Sequence, residues 1–177
     1  MVGISISGAP SASATSFVCN YWGGANGAKC QHQSSFHTGL ETGPTTWWTE
    51  DEKLSYQDDG NLVIYCLNRG TNAYGKWINN GQAVWASGVV SPNTFFNPTS
   101  HKLNFWSDGN LATYYANSGT AFQYRPEWDA HAWAGSDSWA VLQADGNFVI
   151  WQGGRAVWAT NTYHVCPGTE DYWNGYQ

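Results

Sequence analysis

Charge is what this chain has least of. Asp, Glu, Lys and Arg make up 11% of its 177 residues, under half the roughly 25% of an ordinary soluble domain. Seven Lys and Arg stand against thirteen Asp and Glu, a net of −6 at pH 7. No basic run is present to neutralise phosphates, so a nucleic-acid partner is not expected. Long apolar runs are missing too. None approaches the ~18 residues of a membrane-spanning helix, and membrane insertion is not expected either. Helical periodicity is absent, because Gly, Asn, Asp and Pro interrupt every apolar run before it reaches the roughly 10–12 residues a helix usually needs. There is no nucleophile beside a base, no phosphate loop and no metal motif, so neither catalysis nor a cofactor is expected.

Cysteine is scarce as well: Cys19, Cys30, Cys66 and Cys166, with no CxxC pair. Two structural disulfides, Cys19 to Cys30 and Cys66 to Cys166, are the expectation. Free thiols are one alternative. A zinc site from Cys19, Cys30, His32 and His37 is another, with a spacing that matches no familiar ligand pattern. Residues 1–16 are small and polar and carry no visible secretory signal.

What the chain has in excess is aromatic rings, 16% of residues with 12 Trp and 10 Tyr. That excludes intrinsic disorder. Short runs of Val, Tyr, Trp and Thr between turn-forming residues read as an all-β protein. Self-comparison then finds a repeated unit. Residues 57–65 read QDDGNLVIY, residues 106–114 WSDGNLATY and residues 143–151 QADGNFVIW. Downstream, GQAVWASG at 81–88 echoes GRAVWATN at 154–161. Tyr65 lies 20 positions before Trp85, whereas Trp151 lies only 7 before Trp158. The first unit therefore carries an insertion of about a dozen residues near 66–78, most simply a lengthened hairpin loop.

Within the first unit, alternation puts Asn61, Val63 and Tyr65 on one face and Leu62 and Ile64 on the other, toward a core. In a straight strand Gln57 and Tyr65 would stand about 27 Å apart, at about 3.4 Å per residue. Asp-Gly between alternating runs is a hairpin signal, however, so the chain should fold back at residues 58–61 and set Gln57 beside Val63 and Tyr65. Two amides, a carboxylate and a phenol then meet over an apolar floor. Such a set can satisfy adjacent sugar hydroxyls as both donors and acceptors. One carboxylate per unit is too few for paired-acid glycoside hydrolysis, and the acidic run Glu50, Asp51, Glu52 reads as a solvated loop. Asp59 and Asn61 also suit a tight turn without any ligand. Tyr65 and Trp151 could be ordinary strand aromatics, and Trp85 and Trp158 read as core. A turn does not explain Gln57 or Tyr65.

Gln57, Asp59, Asn61, Val63 and Tyr65 reproduce the QxDxNxVxY signature of the bulb-type, or monocot mannose-binding, lectins, which the chain resembles over roughly residues 35–165. The resemblance implies a β-prism II: three four-stranded antiparallel sheets with pseudo-threefold symmetry and the AVWA tryptophans inside. Trp85 and Trp158 would fill that role, with Phe122 standing in for the second copy. Residues 35–177 would form one lectin domain, preceded by an extension over 1–34 with a local disulfide. The family binds mannose without calcium; Asp and Asn hold O2, Gln reaches O3, Tyr holds O4, and Val packs on the ring carbons. By that resemblance the first copy is a complete site. The third keeps Gln143, Asp145, Asn147 and Val149 but has Trp151 in place of Tyr. The second keeps Asp108, Asn110 and Tyr114 but has Trp106 for Gln and Ala112 for Val, and is expected to be inactive or altered.

The function so implied is calcium-independent, non-catalytic recognition of mannose-type glycans or glycoproteins at shallow sites. A homodimer is one way to add sites and avidity. The alternative is a lectin-like toxin or defence protein, bacteriocin, insecticidal or antifungal, using the same sites for targeting. The expected location is extracellular, although no signal peptide is visible.

Overall fold

The computed structural model describes residues 14–19, 30–89, 101–116 and 124–171. Among these residues fifteen strands run in chain order. β1 (Ala14–Cys19) and β2 (Cys30–His37) open the chain. β3 (Leu40–Thr42), β4 (Thr45–Trp48), β5 (Glu52–Tyr56) and β6 (Leu62–Cys66) follow. Next come β7 (Gly70–Thr71), β8 (Trp77–Ile78) and β9 (Ala83–Ala86). β10 (His101–Phe105), β11 (Leu111–Ala116) and β12 (Tyr124–Asp129) belong to the second copy. β13 (Trp139–Leu142), β14 (Phe148–Gln152) and β15 (Arg155–Ala159) complete the set. No α-helix occurs among the described residues, and a 3-10 turn covers Thr169–Asp171.

The strands form three main antiparallel sheets, β4-β5-β6-β9, β3-β10-β11-β12 and β1-β2-β13-β14-β15. The last has five strands rather than four, because β1 adds outside β2, and β2 itself crosses the boundary expected at residue 34. The insertion in the first copy forms the two-stranded ribbon β7-β8, as a lengthened hairpin would.

Strand alternation sends Leu54, Leu62, Ile64, Leu103, Phe105, Leu111, Leu142, Phe148 and Ile150 into one common core, all completely buried. Each such apolar side chain contributes about 1.5–3 kcal/mol by leaving water. Trp85, Trp128 and Trp158 come one from each sheet, from β9, β12 and β15. They meet edge to face, with ring centroids 5.8 Å apart for Trp85–Trp128, 6.0 Å for Trp85–Trp158 and 5.8 Å for Trp128–Trp158. Trp85 and Trp158 take the interior role expected of them. The third partner is Trp128; Phe122 lies outside the described residues. Register explains the match, since Trp85 pairs with Ile64, Trp128 with Thr113 and Trp158 with Ile150, the same position of each repeat.

Cys66 and Cys166 form the expected disulfide, with Cα atoms 5.2 Å apart. Cys19 and Cys30 face each other across the β1–β2 ladder, but their side chains lie outside the described residues. Of the histidines in the zinc alternative, His32 is held by Glu50, Nδ1 to Oε1 at 2.6 Å, and His37 is exposed on β2.

Candidate functional site

Each repeat centres on the hairpin between its second and third strands, and the three hairpins are built alike. The Gly60 N–H donates to the Gln57 carbonyl at 3.0 Å, that of Gly109 to Trp106 at 2.9 Å and that of Gly146 to Gln143 at 3.1 Å. Gly60, Gly109 and Gly146 have φ of 82°, 81° and 90°, the left-handed region that favours glycine. Asp Oδ1 accepts the N–H of the following Asn at 3.0 Å in the first copy, 2.9 Å in the second and 3.1 Å in the third. These are Asx turns, so the turn-forming reading of Asp59 and its counterparts is correct as far as one oxygen is concerned.

The asparagines have a scaffold role too. Asn61 Oδ1 accepts the Gly88 N–H, Asn110 Oδ1 that of Ala132 and Asn147 Oδ1 that of Thr162, each at 3.2 Å. Each tie anchors the chain just beyond the tryptophan-bearing strand. In the first copy this leaves Asp59 Oδ2 and Asn61 Nδ2 without a partner among the described residues, an acceptor beside a donor.

The convergence of Gln57 and Tyr65 holds. Gln57 Nε2 donates to the Tyr65 hydroxyl at 2.8 Å. A register shift between Ile64 and Tyr65 bends the strand at the motif's last residue, and the same bulge falls between Thr113 and Tyr114 and between Ile150 and Trp151. A bulge re-aims one side chain, here the one that closes the site. Gln57, Asp59, Asn61 and Tyr65 are half-buried, within reach of a solute. Val63 is 2% exposed and lies almost wholly beneath them.

The second copy keeps this geometry with different atoms. Trp106 Nε1 donates to the Tyr114 hydroxyl at 2.8 Å, where Gln57 does so in the first. The Trp106 ring stands edge-on to Tyr114, with centroids 5.6 Å apart. Ala112 and Asn110 are buried, whereas Trp106 and Asp108 are exposed. The site is thus more aromatic than the first.

In the third copy the motif residues come together but are covered. Gln143 is 7% exposed, Asp145 4%, Val149 2% and Trp151 8%, and Asn147 is half-buried. Trp151 packs with Val141, Val149, Trp139 and Ala159 as a separate apolar cluster. The His164 N–H donates to the Asp145 carbonyl at 2.8 Å and Thr162 Oγ1 to the Gly146 carbonyl at 2.6 Å, so the segment after β15 lies against this turn.

The same turn carries the largest correction to the sequence reading. Asp51 and Glu52 are not in a solvated loop: they are 7% and 0% exposed. Asn68 Nδ2 donates to Asp51 Oδ1. Both Glu52 oxygens are buried with no hydrogen-bond partner, and a Cβ on Gly146 would stand 3.4 Å from Glu52 Oε2. Burial, with the charges of Asp145 and Asp51 added, holds the Glu52 carboxyl well above the usual carboxylate range. Burial likewise raises Asp145 to about 6, against the backbone N–H of Asn147, which lowers it. At the position matching Glu52 in the second copy stands His101, completely buried, its Nδ1 3.0 Å from Glu127 Oε2 and against the turn at Gly60. The sequence carried no local signal for either residue.

This arrangement is similar to solved monocot mannose-binding lectins. A monomeric one from Gastrodia elata matches at 26% identity over 73% of this chain and 97% of that one, with a TM-score of 0.54. The mannose-specific agglutinin of snowdrop (Galanthus nivalis) bulbs, complexed with methyl-α-D-mannoside, matches at 23% identity over 73% and 96%, with a TM-score of 0.48. A mannose-specific lectin from Dutch crocus (Crocus vernus) matches at 21% over 71% and 93%, with a TM-score of 0.45. No protein-family model and no curated protein sequence matches the chain. The proteins that it resembles are lectins, which bind carbohydrate without transforming it.

Proposed function

We propose that this protein is a calcium-independent lectin that takes mannose or mannose-bearing glycans at its first repeat, through Gln57, Asp59, Asn61, Val63 and Tyr65. The observation that carries the reading is the Gln57–Tyr65 hydrogen bond, which joins the two residues no turn requires. Beside them Asp59 and Asn61 each commit one atom to the scaffold and keep one for a ligand. A half-buried acceptor, donor, amide and phenol in one patch suit adjacent hydroxyls of a neutral sugar. The likeness to the Gastrodia lectin supports the same reading.

In this view residues 35–177 are one β-prism II domain of pseudo-threefold symmetry, to which the preceding segment lends an edge strand. The second site, with Trp106, Asp108, Asn110 and Tyr114, offers ring faces in place of the glutamine amide and has altered preference. The third, with Gln143, Asp145, Asn147, Val149 and Trp151, is covered and contributes little. One exposed site is weak alone, so avidity comes from a homodimer or from clustered glycans. An extracellular location suits the Cys66–Cys166 disulfide.

The test is competition. Mannan and free mannose should displace the protein from a high-mannose glycoprotein with EDTA present, and Asp59→Ala should lose at least tenfold in affinity, a buried or charge-assisted hydrogen bond being worth ~1.5–3 kcal/mol. If neither sugar competes and Asp59→Ala binds as well as the parent, the reading is wrong.

A further inference from the structure

Lysine is rare in this protein, yet two lysines occupy the same place in two of its repeats. Lys53 is paired across the β5–β6 ladder with Tyr65, and Lys102 across the β10–β11 ladder with Tyr114. Both precede the first motif residue by four positions, Gln57 in one copy and Trp106 in the other. Alternation places each on the outer face with its tyrosine, since their neighbours Glu52, Leu54, His101 and Leu103 are completely buried. Lys53 Nζ stands 5.2 Å from the Tyr65 ring centroid and 5.3 Å from that of Trp48. Trp48, paired with Lys53 on its other side, is 44% exposed. Neither lysine makes an ion pair among the described residues, in a chain with thirteen acidic side chains.

The third repeat supplies the contrast. There the matching position is Trp139, paired with Trp151, and the motif residues are covered. A lysine stands beside the motif aromatic where that aromatic reaches solvent, and an indole replaces it where the face is closed.

We propose, resting on the lectin reading above, that Lys53 and Lys102 fit the first and second sites to hexoses bearing an anionic substituent, a phosphate or a carboxylate, next to the ring held by the motif. The ammonium over the Tyr65 and Trp48 faces is kept at the site rim by cation–π attraction, with the lysine stem lying on apolar ring surface. It is uncommitted to any carboxylate among the described residues, so an incoming anion has none of these to displace. The net charge of −6 opposes an anionic ligand at long range, but at physiological salt charges beyond about 8 Å are largely screened and the local lysine prevails.

Calorimetric titration of the intact protein with methyl α-D-mannoside, mannose 6-phosphate and mannuronate tests this. The anionic sugars should bind about two- to fivefold tighter than the neutral one at physiological salt, the range of exposed charge pairs, and the advantage should shrink in 0.5 M salt. The two anionic arms separate phosphate from carboxylate. In a Lys53→Gln, Lys102→Gln double variant the advantage should vanish while the affinity for methyl α-D-mannoside stays unchanged. Equal affinity for neutral and anionic sugars in the parent overturns the inference, as does an advantage that survives the double substitution. Equal loss of neutral and anionic binding in the variant also overturns it, by reducing the lysines to props for the tyrosines. Should Asp59→Ala leave methyl α-D-mannoside binding intact, the site assignment itself fails, a distinct result.

Discussion

At Asp145 a motif carboxylate has been drawn inside the protein. Its pKa is raised to about 6 by burial, and burial also holds that of its neighbour Glu52 well above the ordinary carboxylate range. Both acids hold their protons more tightly folded than unfolded. As pH rises past the ordinary carboxylate range the unfolded chain therefore binds fewer protons than the folded one, and stability falls. The Asp145 contribution is fully present below its unfolded value of 3.8 and is lost as pH climbs through about 6, a difference on the order of 3 kcal/mol. Thermal melts of the parent should decline from pH 4 to pH 8. Asp145→Asn should flatten the decline between pH 4 and 6, and Glu52→Gln should make the decline shallower as well. Unchanged slopes in both variants would show that the pair does not titrate in the folded state as described. Glu52 looked solvated because it sits in a run of acids; what buries it is a turn 94 positions further along (146 − 52).

The hairpin is the element that the chain reuses, and it was legible because its determinants are adjacent. Asp-Gly-Asn supplies the Asx bond, the left-handed glycine and the strand-side tie within three residues. The bulge that follows was not legible, since Ile64-Tyr65 and Ile150-Trp151 look like uninterrupted strand. Nor does the triplet reveal what each turn touches. A Cβ on Gly109 would come 2.7 Å from the Ala134 carbonyl carbon, whereas one on Gly75, of similar φ (76°), meets nothing within 4 Å. Gly75→Ala should cost only the left-handed strain, ~1–2 kcal/mol. Gly109→Ala adds a clash with backbone that has no room to move, and should cost on the order of 3 kcal/mol or more, or prevent folding. Denaturant midpoints of the two variants would measure the difference; equal losses would mean that the loop over residues 134–135 yields.

For the whole molecule the repeats close on one another. The first turn lies against His101 of the second copy, the second turn against Ala134 and Gly135 at the entry to the third, and the third turn against Glu52 of the first. The Cys66–Cys166 bridge, spanning 100 positions, ties the end of the first hairpin to the segment that lies against the third turn. A loop of that length makes the bridge worth about 4–5 kcal/mol in the chain-entropy account. Cys66→Ala with Cys166→Ala should lower stability by roughly 2–5 kcal/mol, read from denaturant unfolding under non-reducing conditions. A double variant as stable as the parent would mean that packing alone holds the segment.

The sequence by itself determined the repeats, the turns, the core face of the first motif strand, the pairing of Gln57 with Tyr65 and the interior role of Trp85 and Trp158. Each follows from strand period, turn chemistry or a motif, and these act over about ten residues. Tertiary structure alone decided that Trp128 completes the tryptophan cluster, that the third sheet has five strands, that Glu52 is buried and that the third motif is covered. The first and third motifs are nearly the same string, QDDGNLVIY and QADGNFVIW, yet one is open and the other closed. Their difference lies in what packs around each hairpin, and a nine-residue string does not encode the packing of the chain outside it.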